Sequence, residues 1–335
     1  MKILDVKNLS IDIAQDKNNL SIVDNLSFEV NQGEIVALVG ESGCGKSLSC
    51  MALADLLPHP PMICRGDKIE LHTRHGKLNV LTASPRELAA IRGREIAYIF
   101  QEPSTSLNPV FRVGNQIVEA LQLHRPELAD PMAEAVKLLK SVGIPDPQNR
   151  VKSYPHELSG GMQQRVMIAM ALACKPKILV ADEPTTALDV TIQQQILQLL
   201  RTLRQEQKLA IILVTHNLGV VAELADRVLV MYAGQLVENL SANDLLAARH
   251  PYTQALLKAV PRLGTPGRLH NIPGTVPSPA QYPAGCRFYS RCTLARQLSA
   301  EEQQKCFNCK APLHTVKPGH ELRCHYFEQL LRGEE

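Results

Sequence analysis

Eight consecutive residues, Gly40-Glu41-Ser42-Gly43-Cys44-Gly45-Lys46-Ser47, carry the spacing G-x-x-x-x-G-K-[ST]. Glycines at this spacing let successive backbone N–H groups turn inward around the β- and γ-phosphates of a nucleotide. The lysine neutralises phosphate charge and the final hydroxyl can ligate Mg²⁺. Nucleotide contacts are therefore expected from Gly40, Ser42, Gly43, Cys44, Gly45, Lys46, Ser47 and Leu48. Cys44 reads either as a small tolerated residue or as a thiol whose pKa is lowered by Lys46 and the helix start. A second pair, Asp182-Glu183, follows the apolar run 178–181. An acid pair there sits where open α/β sheets place their ligands. Asp182 is suited to hold Mg²⁺, directly or through water, and Glu183 to polarise an attacking water as general base. The bland alternative, an acidic helix cap, loses force beside an intact phosphate loop. A third group, Ser159-Gly160-Gly161, offers a capped helix start without a lysine, open to the approach of a phosphate.

These groups need a scaffold that presents them from strand ends. Apolar runs at Ile35–Val39, 96–100, 178–181, 210–214 and 228–232 read as strands buried on both faces. Helical patterns alternate with them, as in a parallel sheet sandwiched by helices. One such helix spans 191–204, with Ile192, Ile196, Leu199 and Leu203 on its apolar face. The phosphate loop lies between the strand Ile35–Val39 and a helix-forming stretch from Lys46 to Leu57 that stops at Pro58. A second helix is expected from Ser159 through Cys174. Alternation in 69–81, with His75-Gly76 to turn the chain, predicts an exposed hairpin. The predicted fold class is α/β: a P-loop NTPase domain over 1–237 with an antiparallel β subdomain and a helical subdomain at about 102–165. A Pro/Gly-rich irregular connector follows over 238–285, and a small cysteine-rich domain over 286–335.

Net charge is +3 over 335 residues, too mild to call for nucleic acid, and no nucleic-acid partner is expected. No apolar run approaches the roughly 20 residues of a membrane-spanning helix, and the first ten residues lack the apolar stretch of a signal peptide. The chain is thus expected to be soluble and cytoplasmic, reaching a membrane through partners.

Between the two phosphate-related motifs, Leu158-Ser159-Gly160-Gly161-Met162-Gln163-Gln164-Arg165 resembles the signature of ATP-binding-cassette (ABC) ATPases. The resemblance implies that Ser159, Gly160 and Gly161 close over ATP held by another subunit. It also implies that Gln101 contacts Mg²⁺ and the attacking water, that 186–189 form the D-loop, and that His216 senses the γ-phosphate. Mg²⁺ would be shared by Ser47, Gln101 and Asp182. The family usually stacks adenine on an aromatic residue about 20 positions before the phosphate loop. Residues 15–23 hold none, leaving Leu20 or Ile22 to pack against the base.

Three stretches resemble the oligopeptide/dipeptide/nickel importer group: 87–93 leading into 100–109, His250-Pro251-Tyr252-Thr253-Gln254-Ala255-Leu256, and Ile272-Pro273-Gly274-Thr275-Val276-Pro277-Ser278. The resemblance implies an ATP-hydrolysing importer subunit at the cytoplasmic face of the inner membrane. Its partners would be two integral membrane permeases, a second ATP-binding subunit and an extracytoplasmic substrate-binding protein. Di- or oligopeptides are the implied cargo, with nickel or a metal chelate as the alternative. A soluble non-transport ABC ATPase and an exporter subunit are the other classes; the former usually carries two cassettes or a long coiled-coil insertion, and neither is present here.

Of nine cysteines, five crowd the last 50 residues. Peptide-type members often end in a related pattern, matched here by Cys286, Cys292, Cys306 and Cys324. Four thiolates suit a [4Fe–4S] cluster or tetrahedral Zn²⁺. Cys309 competes with Cys306 as third ligand, 298–305 reads as an insertion, and small buried core cysteines are the non-metal reading.

Overall fold

A computed structural model describes residues 1–15, 19–186, 188–260 and 272–332. The chain divides into two compact units, Met1–Leu4 with Val30–Glu34 and Glu70–Val214, and Asp5–Glu29 with Ile35–Ile69 and Thr215–Glu335.

The first unit is built on three parallel strands. Ile178–Asp182 lies between Ile96–Ile99 and Ala210–Thr215, in register Ile96 with Ile178 and Asp182 with Val214. Their apolar runs are buried on both faces because helices cover the ladder, the burden a parallel sheet must meet. Among those helices, Val190–Gln207 buries Ile196, Leu197, Leu200 and Leu203. The apolar stripe is therefore turned from the expected one: Ile192 and Leu199 sit at its margin, and Leu197 and Leu200 take the centre. The helical subdomain expected at about 102–165 contains Pro103–Ser106, Val113–His124, Pro131–Ser141 and Pro147–Arg150.

The hairpin pairs Glu70 with Asn79 and Thr73 with Gly76, so Arg74 and His75 form the turn. Its second strand ends at Asn79, whose side chain accepts the Leu81 N–H and starts a short 3-10 turn over Val80–Thr82. Leu71 is buried, and the tip is tied down rather than free: Glu95 accepts the Arg74 N–H at 3.0 Å, and Arg74 donates to the Lys175 carbonyl at 2.7 Å.

In the second unit Ile35–Val39 pairs in parallel with Arg227–Tyr232. The sheet then continues antiparallel through Gln235–Ser241, His320–Arg323 and Leu313–Lys317. This corrects two expectations. The boundary at 237 falls inside a strand, and the supposed irregular connector contains the rest of that strand, a 3-10 segment Ala242–Ala247 and the helix Pro251–Ala259. The tail is not set apart, because His320–Arg323 joins the sheet that begins at Ile35–Val39. The join is locked by a buried carboxylate. Glu238 accepts from His320 Nε2 at 2.9 Å, Arg249 N at 2.7 Å and His250 N at 3.2 Å. Burial alone would raise its pKa; the hydrogen bonds outweigh that and hold it below the ordinary value. Residues 261–271, within the expected connector, lie outside the described residues.

No helix of the described residues is long and apolar enough to cross a membrane.

Candidate functional site

In the second unit the phosphate loop follows Ile35–Val39 directly. Three of its glycines take positive φ: Gly40 at 153°, Gly43 at 78° and Gly45 at 96°. At Gly40 a side chain has no room, since an added Cβ would lie 2.2 Å from the Met231 carbonyl oxygen. Lys46 is buried, its Nζ donating to the carbonyls of Gly40 at 2.9 Å and Glu41 at 3.0 Å. The ammonium is thereby held within the loop. Ser42, Gly43 and Ser47 are exposed, and Leu48 is half-buried. The helix after the loop is shorter than expected, Lys46–Ala52, and ends before a left-handed residue, Asp55.

Cys44 does not carry an activated thiol. Burial pushes its pKa up, outweighing the attraction of Lys46. It acts as a small buried residue whose carbonyl accepts the Gly234 N–H at 2.9 Å. Of the two residues expected to meet the base, Ile22 is buried and Leu20 half-buried. The strand carrying them, Leu20–Asn31, passes beside the loop, with Val23 against Gly45. His216 follows Ala210–Thr215, at a turn where the Asn217 N–H donates to the Thr215 hydroxyl and Asn217 caps the next helix.

The first unit gathers the other expected residues. Asp182 closes its strand, and Glu183 follows in the left-handed region, φ 46°. The Glu183 N–H is anchored on the Val214 carbonyl at 2.9 Å. Its Oε2 accepts from Gln101 Nε2 at 3.1 Å and from the Thr186 hydroxyl at 2.8 Å. Residues 82 positions apart thus converge on one carboxylate oxygen. Thr186, named from the sequence only as a D-loop position, is a direct partner of the acid; a hydroxyl three residues after an acid is the signal that could have found it. Ala187, in the same loop, lies outside the described residues.

Ser159 caps the helix Gly160–Leu172, its hydroxyl accepting the Met162 N–H at 3.4 Å. The helix is two residues shorter than expected, because Lys175 turns left-handed after it. Ser159 and Gly160 are exposed, and Gln163 fixes the approach by donating to the carbonyls of Pro155 and Leu158. An added Cβ on Gly161 would lie 2.7 Å from the Ile192 side chain, so the glycine allows close helix packing.

In the tail, Cys286, Cys292, Cys306 and Cys324 line one small cavity with His250, Phe288 and Tyr326. Cys309 is exposed and does not line that cavity. The stretch read as an insertion positions the third thiol: Ser299 and Glu302 form a capping box, and the helix Ala300–Asn308 carries Cys306 inward. Burial pushes the Cys286 thiol up to about 12 and the Cys324 thiol up to about 11, and neighbouring thiols add to both shifts. The donor set suits a thiophilic centre. Among the described residues, however, no three His, Cys, Asp or Glu side chains are arranged around one ion position.

Residues 23–186 match the family described as ABC transporter, and residues 237–298 the one described as oligopeptide/dipeptide transporter, C-terminal region. The dipeptide transport ATP-binding protein DppD of Escherichia coli (strain K12) is 44% identical over 329 residues, 97% of each chain. The oligopeptide transport ATP-binding protein AppD of Bacillus subtilis (strain 168) is 44% identical over 330 residues, 98% of this chain and 97% of its own. A dimeric post-hydrolysis state of the ATP-binding cassette MJ0796 bound to ADP and Pi matches with TM-score 0.61 at 26% identity, covering 72% of this chain and 99% of that one. The chain belongs to the ATP-hydrolysing, ATP-binding subunits of ABC transporters, in the oligopeptide/dipeptide transporter family.

Proposed function

We propose that this chain powers the uptake of di- or oligopeptides through two partner permeases, paired with a second ATP-binding subunit and supplied by an extracytoplasmic binding protein. It would work at the cytoplasmic face of the inner membrane. The observation that carries the peptide reading is similarity to peptide-transport subunits along 97% of the chain, tail included.

In this reading the backbone N–H groups of residues 40–47 and Lys46 bind the phosphates, with Leu48 in the helix behind them. Mg²⁺ would neutralise phosphate charge and suits hard oxygen donors; the family resemblance names the Ser47 hydroxyl, Asp182 and Gln101 as the residues that would hold it. Glu183 accepts the proton of the attacking water, Gln101 and Thr186 hold its carboxylate, and His216 supports the γ-phosphate. Ser159, Gly160 and Gly161 cap ATP held by the partner ATPase, so each chain contributes to two composite sites. The test is reconstitution of the full complex: di- and tripeptides with their binding protein should raise its ATPase rate several-fold. Stimulation by Ni²⁺ and not by peptides would overturn the peptide reading.

For the tail, the proposal is that Cys286, Cys292, Cys306 and Cys324 hold a [4Fe–4S] cluster in preference to Zn²⁺. That these four cysteines line one cavity supports it. Their raised pKa values mean that a bound centre must displace protons from them. Anaerobically purified protein should contain iron and acid-labile sulfide, both lost on Cys292→Ser; zinc alone would overturn this choice.

A further inference from the structure

The guanidinium of Arg291 is 5% exposed and fully engaged. It grips the Glu41 carboxylate with two nitrogens, Nη1 to Oε2 at 2.6 Å and Nη2 to Oε1 at 3.0 Å. Nε donates to the Pro273 carbonyl at 2.8 Å. Nη2 also reaches the carbonyls of Ile272 and Gly274 at 3.4 and 3.3 Å, and Nη1 the Tyr232 hydroxyl at 3.4 Å. Glu41 is the second residue of the phosphate loop. Its backbone is held as well, the N–H donating to the Tyr252 hydroxyl at 2.8 Å. Tyr232 packs edge to face with Tyr252 and Phe288, and those two tilt against each other, with centroids 4.7 to 5.4 Å apart. Two stretches of the C-terminal half, around Tyr252 and Arg291, thus reach one loop residue, and a third around Pro273 braces Arg291, although none of them carries a phosphate-binding motif.

We infer that Arg291 is a positioning residue for the nucleotide: it fixes the first turn of the phosphate loop through Glu41 and cancels the charge that this carboxylate would otherwise place beside the phosphates. Only a planar fork can meet two carboxylate oxygens and three carbonyls at once, which a lysine cannot do. Cys286 and Cys292 flank the segment that carries Arg291, so the cysteine cavity and the phosphate loop share this support.

The inference rests on reading residues 40–47 as an ATP phosphate loop, and the experiment separates the two. Equilibrium Mg·ATP binding is measured on the full chain, and ATPase kinetics on the assembled transporter. Arg291→Met should weaken ATP binding about tenfold, the scale of one unmasked charge near the phosphates. Its kcat at saturating ATP should stay within about twofold, since Arg291 touches no reacting atom. Arg291→Lys should fall between Met and wild type. Adding Glu41→Gln to Arg291→Met should restore most of the lost affinity, which a purely structural arginine would not allow. Wild-type affinity in Arg291→Met, or a loss that Glu41→Gln leaves untouched, overturns the inference. Lys46→Ala is the separate control: retained ATP affinity there overturns the phosphate-loop reading itself.

Discussion

Glu183→Gln should lower ATP turnover by roughly 10²- to 10⁴-fold while leaving ATP affinity nearly unchanged. The substitution removes a base and little else. Gln101 and Thr186 both donate to one oxygen of Glu183, Oε2. A glutamine can present its carbonyl oxygen to both donors, so the local geometry survives. The left-handed backbone of residue 183, anchored on Val214, is set by the chain and not by the charge. What disappears is the capacity to take a proton from water. Thr186→Ala should cost less, because it loosens the carboxylate without abolishing it, and Gln101→Ala should cost more than Thr186→Ala, because it also removes a proposed Mg²⁺ donor. Single-turnover hydrolysis and ATP binding, measured together in the assembled transporter, separate chemistry from affinity. Normal hydrolysis by Glu183→Gln would remove this residue from the role of base.

That carboxylate was legible in the sequence because its strand is an unbroken apolar run, Ile178 to Ala181, ending in two acids. Core strands of parallel sheets announce themselves this way, and five did so here. The partners of Glu183 were only half legible. Gln101 stood out through its place in the resemblance, whereas Thr186 did not, since a D-loop position says nothing about where its hydroxyl points. The tail was harder still. His320–Arg323 is four residues of His-Glu-Leu-Arg, too short and polar to read as a strand. It is a strand because Glu238, buried in the neighbouring strand, takes His320 as a partner, a pairing 82 residues apart. The prolines of 251–283 suggested irregularity, yet Pro251 sits at the first position of a helix, where its missing N–H costs nothing. Arg291 was visible only as the arginine before a cysteine. Its partner lies 250 positions away, and no local pattern encodes that distance.

Gly234→Ala is expected to damage both stability and nucleotide binding, for a reason equally hidden in the sequence. Tyr232 pairs with Gln235, so Ala233 and Gly234 form a two-residue hairpin turn, and both have positive φ, 46° and 79°. The turn is pressed between two neighbours. Its Gly234 N–H donates to the Cys44 carbonyl inside the phosphate loop, and its carbonyl accepts the Asp24 N–H, both at 2.9 Å. A Cβ on Gly234 would lie 1.7 Å from the Ile22 carbonyl oxygen and 2.8 Å from its carbon. The Ile22 backbone cannot yield as a side-chain tip would. Left-handed strain adds about 1 kcal/mol to overpacking of about 1–3 kcal/mol, so a loss of roughly 3 kcal/mol is expected. That corresponds to a fall in Tm on the order of 4 °C for a chain of this length. Gly319→Ala is the matched control: φ is 78° there, but no atom lies within 4 Å of the added carbon, so strain of about 1 kcal/mol acts alone. Thermal denaturation of the two variants measures the cost of the close approach as their difference. ATP binding adds a second contrast, since only Gly234 holds the phosphate loop: Gly234→Ala should weaken it and Gly319→Ala should not. Equal effects of the two substitutions on both measurements would mean that the Ile22 contact and the Cys44 hydrogen bond carry no weight in shaping the loop.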